Sequence, residues 1–150
     1  MLDALERDAF GYFLHETNPA NGPVADKTQS NAPASIAAVG FALATYAVGV
    51  ERPWITRAEA AERTLAVLRL LWNSPQGTAP DATGYKGFFY HFLDMKTGQR
   101  AGKCELSTVD TAFLLAGMLT AGIYFDQDCA DEREIRTLAD ALYRRADWQW

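Results

Sequence analysis

The sequence has little cysteine and no long apolar run, and each shortage excludes a class of protein. Cys104 and Cys129 are the only cysteines among 150 residues. They are too few for a disulfide framework and lack the Cys-x-x-Cys spacing of a zinc or redox site, so free thiols are expected. No stretch reaches the roughly 18 apolar residues of a membrane span, and the N-terminus lacks the basic start and apolar stretch of a signal peptide. We therefore expect a water-soluble chain, cytoplasmic or periplasmic, without membrane contact.

An excess of positive charge and a phosphate-binding loop are also missing. The formal net charge is −5, which argues against a nucleic-acid partner because such a partner requires a basic face. No glycine-rich loop follows a predicted strand. The two histidines, His15 and His91, form no zinc-ligand pattern. The sequence therefore predicts no metal, nucleotide or organic cofactor, and it does not indicate an oligomeric state.

Apolar helical patterns dominate what the sequence does contain. Hydrophobic residues make up 49% of the chain, and they recur at helical spacing in five segments. The second and fourth segments carry almost no charge and are expected to be buried on all sides, whereas the others have a polar face. The third segment opens with a capping box from Thr56 to Glu59. The predicted helices cover residues 3–16, 35–50, 56–72, 107–124 and 131–147.

Residues 35–72 and 108–148 form a weak internal repeat with a spacing of about 73 to 76 residues. Each copy consists of an almost uncharged helix, a polar turn and an amphipathic helix that ends near a tryptophan. Helix pairs with one buried and one half-exposed partner are typical of α-solenoids and α/α toroids. We therefore predict an all-α fold that is part of a toroid. Because two pairs and a leading helix leave inner faces uncovered, we expect residues 1–150 to be the N-terminal part of one larger domain.

A non-helical insertion around residues 84–106 carries a dense group of aromatic and charged side chains. Residues 88–93 look extended, and a turn at 96–98 is expected to reverse them as a hairpin. Rings beside a lysine and a histidine suit a sugar ligand, but they equally suit a plug beneath the hairpin. A long polar loop at 19–33 is a second candidate region. The candidate substrate-binding residues are Tyr85, Lys86, Phe89, Tyr90, His91 and, in that loop, Asp26.

Two acids, Glu105 and Asp110, are the candidate catalytic residues. They lie just before and just inside an almost uncharged helix, and the N-termini of inner helices line the mouth of a toroid and favour negative charge. Cleavage of a glycosidic bond needs a carboxylic acid to protonate the leaving oxygen, and usually a second carboxylate. The alternative is structural, because Ser107 and Asp110 fit a capping box. In the repeat Asp110 falls opposite Ala37, so the architecture does not require an acid there.

Four stretches spread over nearly the whole chain carry distinctive motifs: Ser35–Phe41 with Gly49–Arg52, Trp54–Ala60, Gly84–Asp94, and Cys104–Ala112. Together they resemble the glucoamylase-like (glycoamylase) domain family of bacteria. The resemblance implies an (α/α)6-toroid fold, of which this chain would be the N-terminal third. Characterised members include inverting endo-hydrolases of β-1,2-glucan, and related domains occur in cyclic β-1,2-glucan synthases.

The resemblance also assigns roles to residues of this chain. It places a catalytically important acid at Asp110. Ser107 stands where the glucanase members carry a further acid, and another essential acid of the family would lie beyond Trp150.

The first functional hypothesis is therefore a glycoside hydrolase acting on β-linked glucan, with β-1,2-glucan favoured. Its paired carboxylates would support an inverting single displacement by water. Two other hypotheses remain: a non-catalytic carbohydrate-binding or glucan-synthase-associated domain, and a helical-repeat module that binds protein through its apolar faces. Binding of glucan without the appearance of new reducing ends would favour the carbohydrate-binding or synthase-associated domain. Absence of any sugar binding would favour the protein-binding module. Under the first hypothesis the isolated chain is expected to be inactive, because part of the site is missing.

Overall fold

Five α-helices form the framework of residues 2–150, the part of the chain that the computed structural model describes. Their positions agree with the predicted segments to within two residues, and the predicted all-α class is confirmed. The helices are α1 (Leu2–His15), α2 (Ile36–Glu51), α3 (Arg57–Asn73), α4 (Thr108–Tyr124) and α5 (Ala130–Arg145).

The helices are arranged as two pairs, α2 with α3 and α4 with α5, and equivalent members lie side by side. Helix α2 packs along α4, and α3 packs along α5. The α2–α4 contact is close because glycines stand at the crossing. A Cβ atom added to Gly117 would lie 2.1 Å from the carbonyl oxygen of Gly40. The inner row of helices is therefore held at backbone contact.

Specific polar contacts fix the ends of the outer helices. Thr56 and Glu59 form the predicted capping box at the start of α3. Arg57, the first residue of α3, donates two hydrogen bonds to the buried carboxylate of Glu132 at 2.8 and 2.9 Å. A third bond from Arg57 reaches the carbonyl oxygen of Tyr124 at 2.9 Å. This residue thus ties the start of α3 to the end of α4 and the start of α5.

Five strands of two or three residues lie at one end of the helix pairs. They form an antiparallel pair, β1–β4, and a three-stranded antiparallel sheet in the order β2–β3–β5. Strands β1 and β5 lead directly into the two inner helices. The strands are β1 (Ala34–Ser35), β2 (Gly84–Tyr85), β3 (Phe88–Tyr90), β4 (Phe92–Leu93) and β5 (Leu106–Ser107).

The predicted insertion exists, but its pairing differs from the predicted hairpin. The extended stretch is interrupted at His91, so that β3 joins one sheet and β4 the other. The turn at 96–98 does reverse the chain, with the Gly98 amide donating to the Asp94 carbonyl at 2.9 Å. Across that turn an antiparallel bridge joins Leu93 to Arg100, and backbone hydrogen bonds run from Asp94 to the Gln99 carbonyl and from Ala101 to the Phe92 carbonyl. A second, tight hairpin joins β2 to β3, where Lys86 and Gly87 both adopt positive φ.

The inner helices keep an apolar face that nothing in residues 2–150 covers. Phe41 of α2 and Phe113 of α4 are half-exposed with ring centroids 5.4 Å apart, and Ile123 is 80% exposed. Burial on all sides is therefore wrong for this face, as the incomplete ring of helices implied. Within the same residues, no helix has the length and apolar character required to cross a bilayer.

Candidate functional site

His91 lies where the chain passes the N-termini of both inner helices. Its amide donates to the carbonyl oxygen of Glu105 at 3.0 Å, and its own carbonyl accepts from the amide of Ile36, the first residue of α2, at 3.2 Å. Glu105 immediately precedes β5, which runs into α4. Backbone hydrogen bonds therefore bring the interruption between β3 and β4 to the start of both inner helices.

These backbone hydrogen bonds place the imidazole of His91 between the two candidate catalytic acids. Its Nδ1 atom lies 2.8 Å from Oε1 of Glu105, and its Nε2 atom lies 3.6 Å from Oδ2 of Asp110. The ring stacks on Phe92 at 3.9 Å between centroids, which fixes its plane. Three of the residues singled out from the sequence thus form one cluster, although they were proposed for two different roles.

Asp110 is held by the residue that caps its helix. The Ser107 hydroxyl accepts from the Asp110 amide at 3.2 Å and donates to the Asp110 carboxylate at 2.5 Å. At the start of α2, Ser35 caps the amide of Ala38 in the same way. The structural equivalent of Asp110 is therefore Ala38, one residue from the Ala37 that the repeat offset indicated. Because the cap of α2 forms with an alanine, the carboxylate of Asp110 is not needed for capping.

Glu105 is an ionised carboxylate at neutral pH. Its own backbone amide and the hydrogen bond from His91 hold the pKa of this carboxyl below its usual value. The side chain is 65% exposed, so it is open to solvent. A group that protonates a leaving oxygen at neutral pH requires the opposite shift, and the same lowering makes Glu105 a weak base, so Glu105 is best suited to orient His91.

The spacing of the three groups limits their joint chemistry. Three possible metal-ligand atoms, one each from His91, Glu105 and Asp110, lie within 4.8 Å of one another. This is the one such group of three or more acids, histidines or cysteines in residues 2–150. This residue set could hold a cation. Without one, the Nδ1 atom of His91 is hydrogen-bonded to Glu105, whereas its Nε2 atom lies 3.6 Å from the Asp110 carboxylate, beyond hydrogen-bond distance. An inverting glycosidase requires carboxyls about 6.5–9.5 Å apart to admit water, whereas one oxygen of Glu105 lies within 4.8 Å of one oxygen of Asp110.

The remaining sugar-binding candidates differ in their burial and in their contacts. Phe89 is fully buried, and its amide donates to the Thr111 hydroxyl at 3.0 Å. Its ring therefore belongs to the core beneath the sheet, as expected if the aromatic rings form a plug. The prediction that Phe89 contacts a sugar directly is wrong. Tyr90 is half-buried with the Arg100 guanidinium 4.1 Å from its ring centroid. Asp26 is exposed in the long loop, where its amide donates to the carbonyl oxygen of Pro33.

Tyr85 and Lys86 lie at the other end of β3. From Phe88 to His91 the chain covers roughly 10 Å, at about 3.3 Å per residue. Tyr85 pairs with Phe88 at the end of β2, and Lys86 lies in the turn that follows. There Lys86 forms an ion pair with Asp147 at 3.3 Å. The insertion therefore has two separate groups of polar and aromatic side chains.

Two residues near the cluster were given no functional role from the sequence. The hydroxyl of Ser107 binds Asp110 directly, and the spacing of three residues in the capping pattern was the signal for that contact. Arg100 donates to the carbonyl oxygen of Cys104 and lies near enough to lower the pKa of Glu105. A single arginine in a loop gave no signal from which this position could have been found.

A prominent cavity of the described residues does not contain the cluster. It has a volume of about 680 Å³ and lies between the end of α1, the polar loop and the turn at 94–96. Asn18, which lines it, donates to the carbonyl oxygen of Met95 at 2.8 Å. The loop asparagines Asn18 and Asn21 thus bind backbone carbonyls of the turn.

Known proteins similar to this chain support the family resemblance found in the sequence. No protein-family model matches the chain. The chain is 29% identical over 156 aligned residues to an exo β-1,2-glucooligosaccharide sophorohydrolase (non-reducing end) of Parabacteroides distasonis. Its fold matches a β-1,2-glucanase from the same species with a TM-score of 0.88 at 28% identity over 99% of the chain. Its relatives are glucoamylase-like proteins and β-1,2-glucanases.

A second similar structure, a glucoamylase candidate from Bacteroides uniformis, matches 97% of this chain with a TM-score of 0.87 at 29% identity. The matches cover only part of each relative: 20% of the sophorohydrolase, 21% of the β-1,2-glucanase and 35% of the B. uniformis protein. This chain thus spans about a fifth of the length of the curated relative it matches. The resemblance and the partial helical toroid expected from the sequence are confirmed.

Proposed function

We propose that this chain forms the N-terminal part of an α/α-toroid domain that hydrolyses β-linked glucan, with β-1,2-glucan as the favoured substrate. The observation that carries the proposal is the cluster of Asp110, His91 and Glu105 at the start of an inner helix, in a chain similar to enzymes named for β-1,2-glucan cleavage. The N-terminus of α4 adds a partial positive charge that favours anionic groups at this position.

In the proposed reaction Asp110 is one of two carboxyls that flank the scissile bond. Single displacement requires one carboxyl to protonate the leaving oxygen and a carboxylate on the other face to take a proton from the attacking water. One oxygen of Glu105 lies within 4.8 Å of one oxygen of Asp110, which favours a second carboxyl from a part of the domain outside residues 1–150. Glu105 instead holds His91, which together with Ser107 positions the Asp110 carboxylate.

The test uses the parent polypeptide, by which we mean the longer protein whose domain this chain is proposed to begin. Its variant Asp110→Asn is assayed for release of reducing ends from linear β-1,2-glucan. The substitution keeps the shape of the side chain and removes its ability to exchange a proton. We expect turnover to fall by roughly 10²-fold or more, the usual contribution of a positioned acid or base. The matched control is Asp140→Asn, which neutralises an acid in an exposed ion pair on α5 and should leave turnover unchanged.

Two results would contradict the proposal. Unchanged turnover in Asp110→Asn would remove Asp110 from the reaction. Binding of β-1,2-glucan by the unaltered parent without new reducing ends would favour a carbohydrate-binding or synthase-associated domain over a hydrolase. Insensitivity to every glucan tested would favour a module that binds protein.

A further inference from the structure

The hydrogen bond between His91 and Glu105 decides which nitrogen of the imidazole carries hydrogen. The Glu105 carboxyl has a lowered pKa, first because of its own backbone amide and then because of His91. It is therefore ionised at neutral pH and can only accept hydrogen bonds. A neutral imidazole has one N–H group. Because Nδ1 lies 2.8 Å from Oε1 of Glu105, that hydrogen is on Nδ1, and Nε2 presents a lone pair.

The lone pair of Nε2 lies beside a second hydrogen-bond acceptor. Nε2 is 3.6 Å from Oδ2 of Asp110, beyond hydrogen-bond distance. This Oδ2 atom already accepts from the Ser107 hydroxyl at 2.5 Å. The side chains of His91 and Asp110 are 27% and 16% exposed, and an acceptor without a partner in such a partly desolvated place costs free energy. A ligand hydroxyl that donates to Nε2 removes this cost.

Contacts on both sides of the ring fix the direction of the Nε2 lone pair. The ring stacks on Phe92 with 3.9 Å between centroids, and Glu105 holds its Nδ1–H group. The backbone of residue 91 is held separately, through its amide to the Glu105 carbonyl and through its carbonyl to the Ile36 amide. A substitution at residue 91 can therefore remove the Nε2 atom while these backbone hydrogen bonds remain.

The 3-hydroxyl of a β-1,2-linked glucose unit is a donor that suits this acceptor. In an internal unit of β-1,2-glucan only the hydroxyls on carbons 3, 4 and 6 are outside the linkages. The 3-hydroxyl among them is adjacent to the linkage oxygen on carbon 2. Asp110 is proposed to act at the linkage, so an acceptor 3.6 Å from its carboxylate lies on the side of the neighbouring hydroxyl. A hydrogen bond so close to the reacting bond also orients the glucose unit for displacement.

We propose that Nε2 of His91 accepts a hydrogen bond from the 3-hydroxyl of a glucose unit at the bond to be cleaved, and that Glu105 is the positioning residue that holds the required tautomer. The inference rests on the proposed function for the choice of glucan and for the role of Asp110. It assigns to His91, a sugar-binding candidate by residue type, one atom and one hydroxyl of the substrate.

The experiment is calorimetric titration of the parent polypeptide with two thio-linked β-1,2-gluco-oligosaccharides, in which sulfur replaces the linkage oxygens so that binding is measured without cleavage. One has all its hydroxyls, and the other consists of 3-deoxyglucose units. His91→Asn keeps an N–H group near the position of Nδ1 but has no atom at the position of Nε2. We expect it to weaken binding of the first roughly three- to tenfold, as loss of one hydrogen bond gives. Binding of the 3-deoxy oligosaccharide should be unchanged, because the two changes remove the same contact.

The variant Glu105→Gln tests the tautomer. The glutamine amide can donate to Nδ1, which allows the ring hydrogen to move to Nε2 and removes the acceptor. Binding of the fully hydroxylated oligosaccharide should weaken, and binding of the 3-deoxy oligosaccharide should not. The matched control is His15→Asn, which changes the other histidine, at the end of α1, and should leave both affinities unchanged.

Three results would overturn the inference. They are an equal loss of affinity for the two oligosaccharides in His91→Asn, which a merely structural role gives, an unchanged affinity of His91→Asn for both, and no binding of either to the unaltered parent. Failure of the proposed function has a different signature. A parent that shows the expected dependence on His91 and the 3-hydroxyl, but releases no reducing ends from linear β-1,2-glucan, would support the contact and contradict hydrolysis.

Discussion

At the residue scale, one imidazole joins the two acids that the sequence singled out. His91 contacts Glu105 through Nδ1 and Asp110 through Nε2, so a change at any of the three alters the environment of the other two. The sequence left Asp110 between a capping role and a catalytic one. The comparison of Ser107 with Ser35 favours the catalytic role, because the same cap forms on α2 with an alanine at the equivalent position.

The lowered pKa of Glu105 gives a prediction with a definite sign. Carbon-13 NMR titration of the Glu105 carboxyl should find its pKa below that of an ordinary glutamate. His91→Ala should raise it only part of the way back, because the largest cause, the backbone amide of Glu105, remains. The associated stabilisation is present above the pKa of an unfolded glutamate and is lost as pH falls through the lower, folded value. An ordinary pKa in the unaltered chain would refute the arrangement.

The two capping serines provide a matched pair of variants. Ser35→Ala and Ser107→Ala each remove one N-cap, so each should lower the free energy of unfolding by about 1 kcal/mol, measured by urea denaturation. Only Ser107 also binds the Asp110 carboxylate. Turnover of β-1,2-glucan by the parent polypeptide should therefore fall in Ser107→Ala and stay unchanged in Ser35→Ala. Equal turnover in the two variants would show that Ser107 has no part in positioning Asp110.

At the element scale, the helices and the extended stretch at 88–93 could be predicted from the sequence, whereas the pairing of the strands could not. Helix signals are local: Thr56 and Glu59 are three residues apart, and the apolar spacing of each helix repeats within one turn. The strands have only two or three residues, and their partners lie far away, as β1 pairs with β4. The contact between His91 and Glu105 follows from such pairing. The sequence therefore predicted the three side chains of the cluster without predicting that they meet.

The glycines between α2 and α4 provide the element-scale prediction. A Cβ atom at Gly40 would lie 2.3 Å from the carbonyl oxygen of Phe113, so Gly40→Ala must push the inner helices apart. We expect it to lower the free energy of unfolding by about 1–3 kcal/mol, the range for overpacked interiors, in chemical denaturation. The control is Gly77→Ala, where a Cβ atom would meet nothing within 4 Å. Similar stability of the two variants would contradict the close approach of the helices.

At the scale of the whole molecule, the repeated helix pair explains both the position of the cluster and the uncovered apolar face of the inner helices. Two helix pairs place two inner N-termini side by side, and the strands that precede them deliver His91 and Glu105 to that edge. The apolar face of α2 and α4 remains uncovered in residues 2–150. Under the proposed function that face packs against further helix pairs, which also contribute the second catalytic carboxyl. The sequence indicated the repeat, but the spacing of Glu105 and Asp110 became evident only from the structure.

The most direct test of the central claim, that the inner-helix cluster forms part of a glucan-cleaving site, is a crystal structure of the parent polypeptide carrying Asp110→Asn, soaked with a β-1,2-gluco-oligosaccharide. The account predicts an ordered sugar chain with a glycosidic oxygen, or the water poised to attack, within hydrogen-bond distance of residue 110, and with His91 and Glu105 beside it. An oligosaccharide bound elsewhere, with the cluster covered by other parts of the protein, would contradict the account.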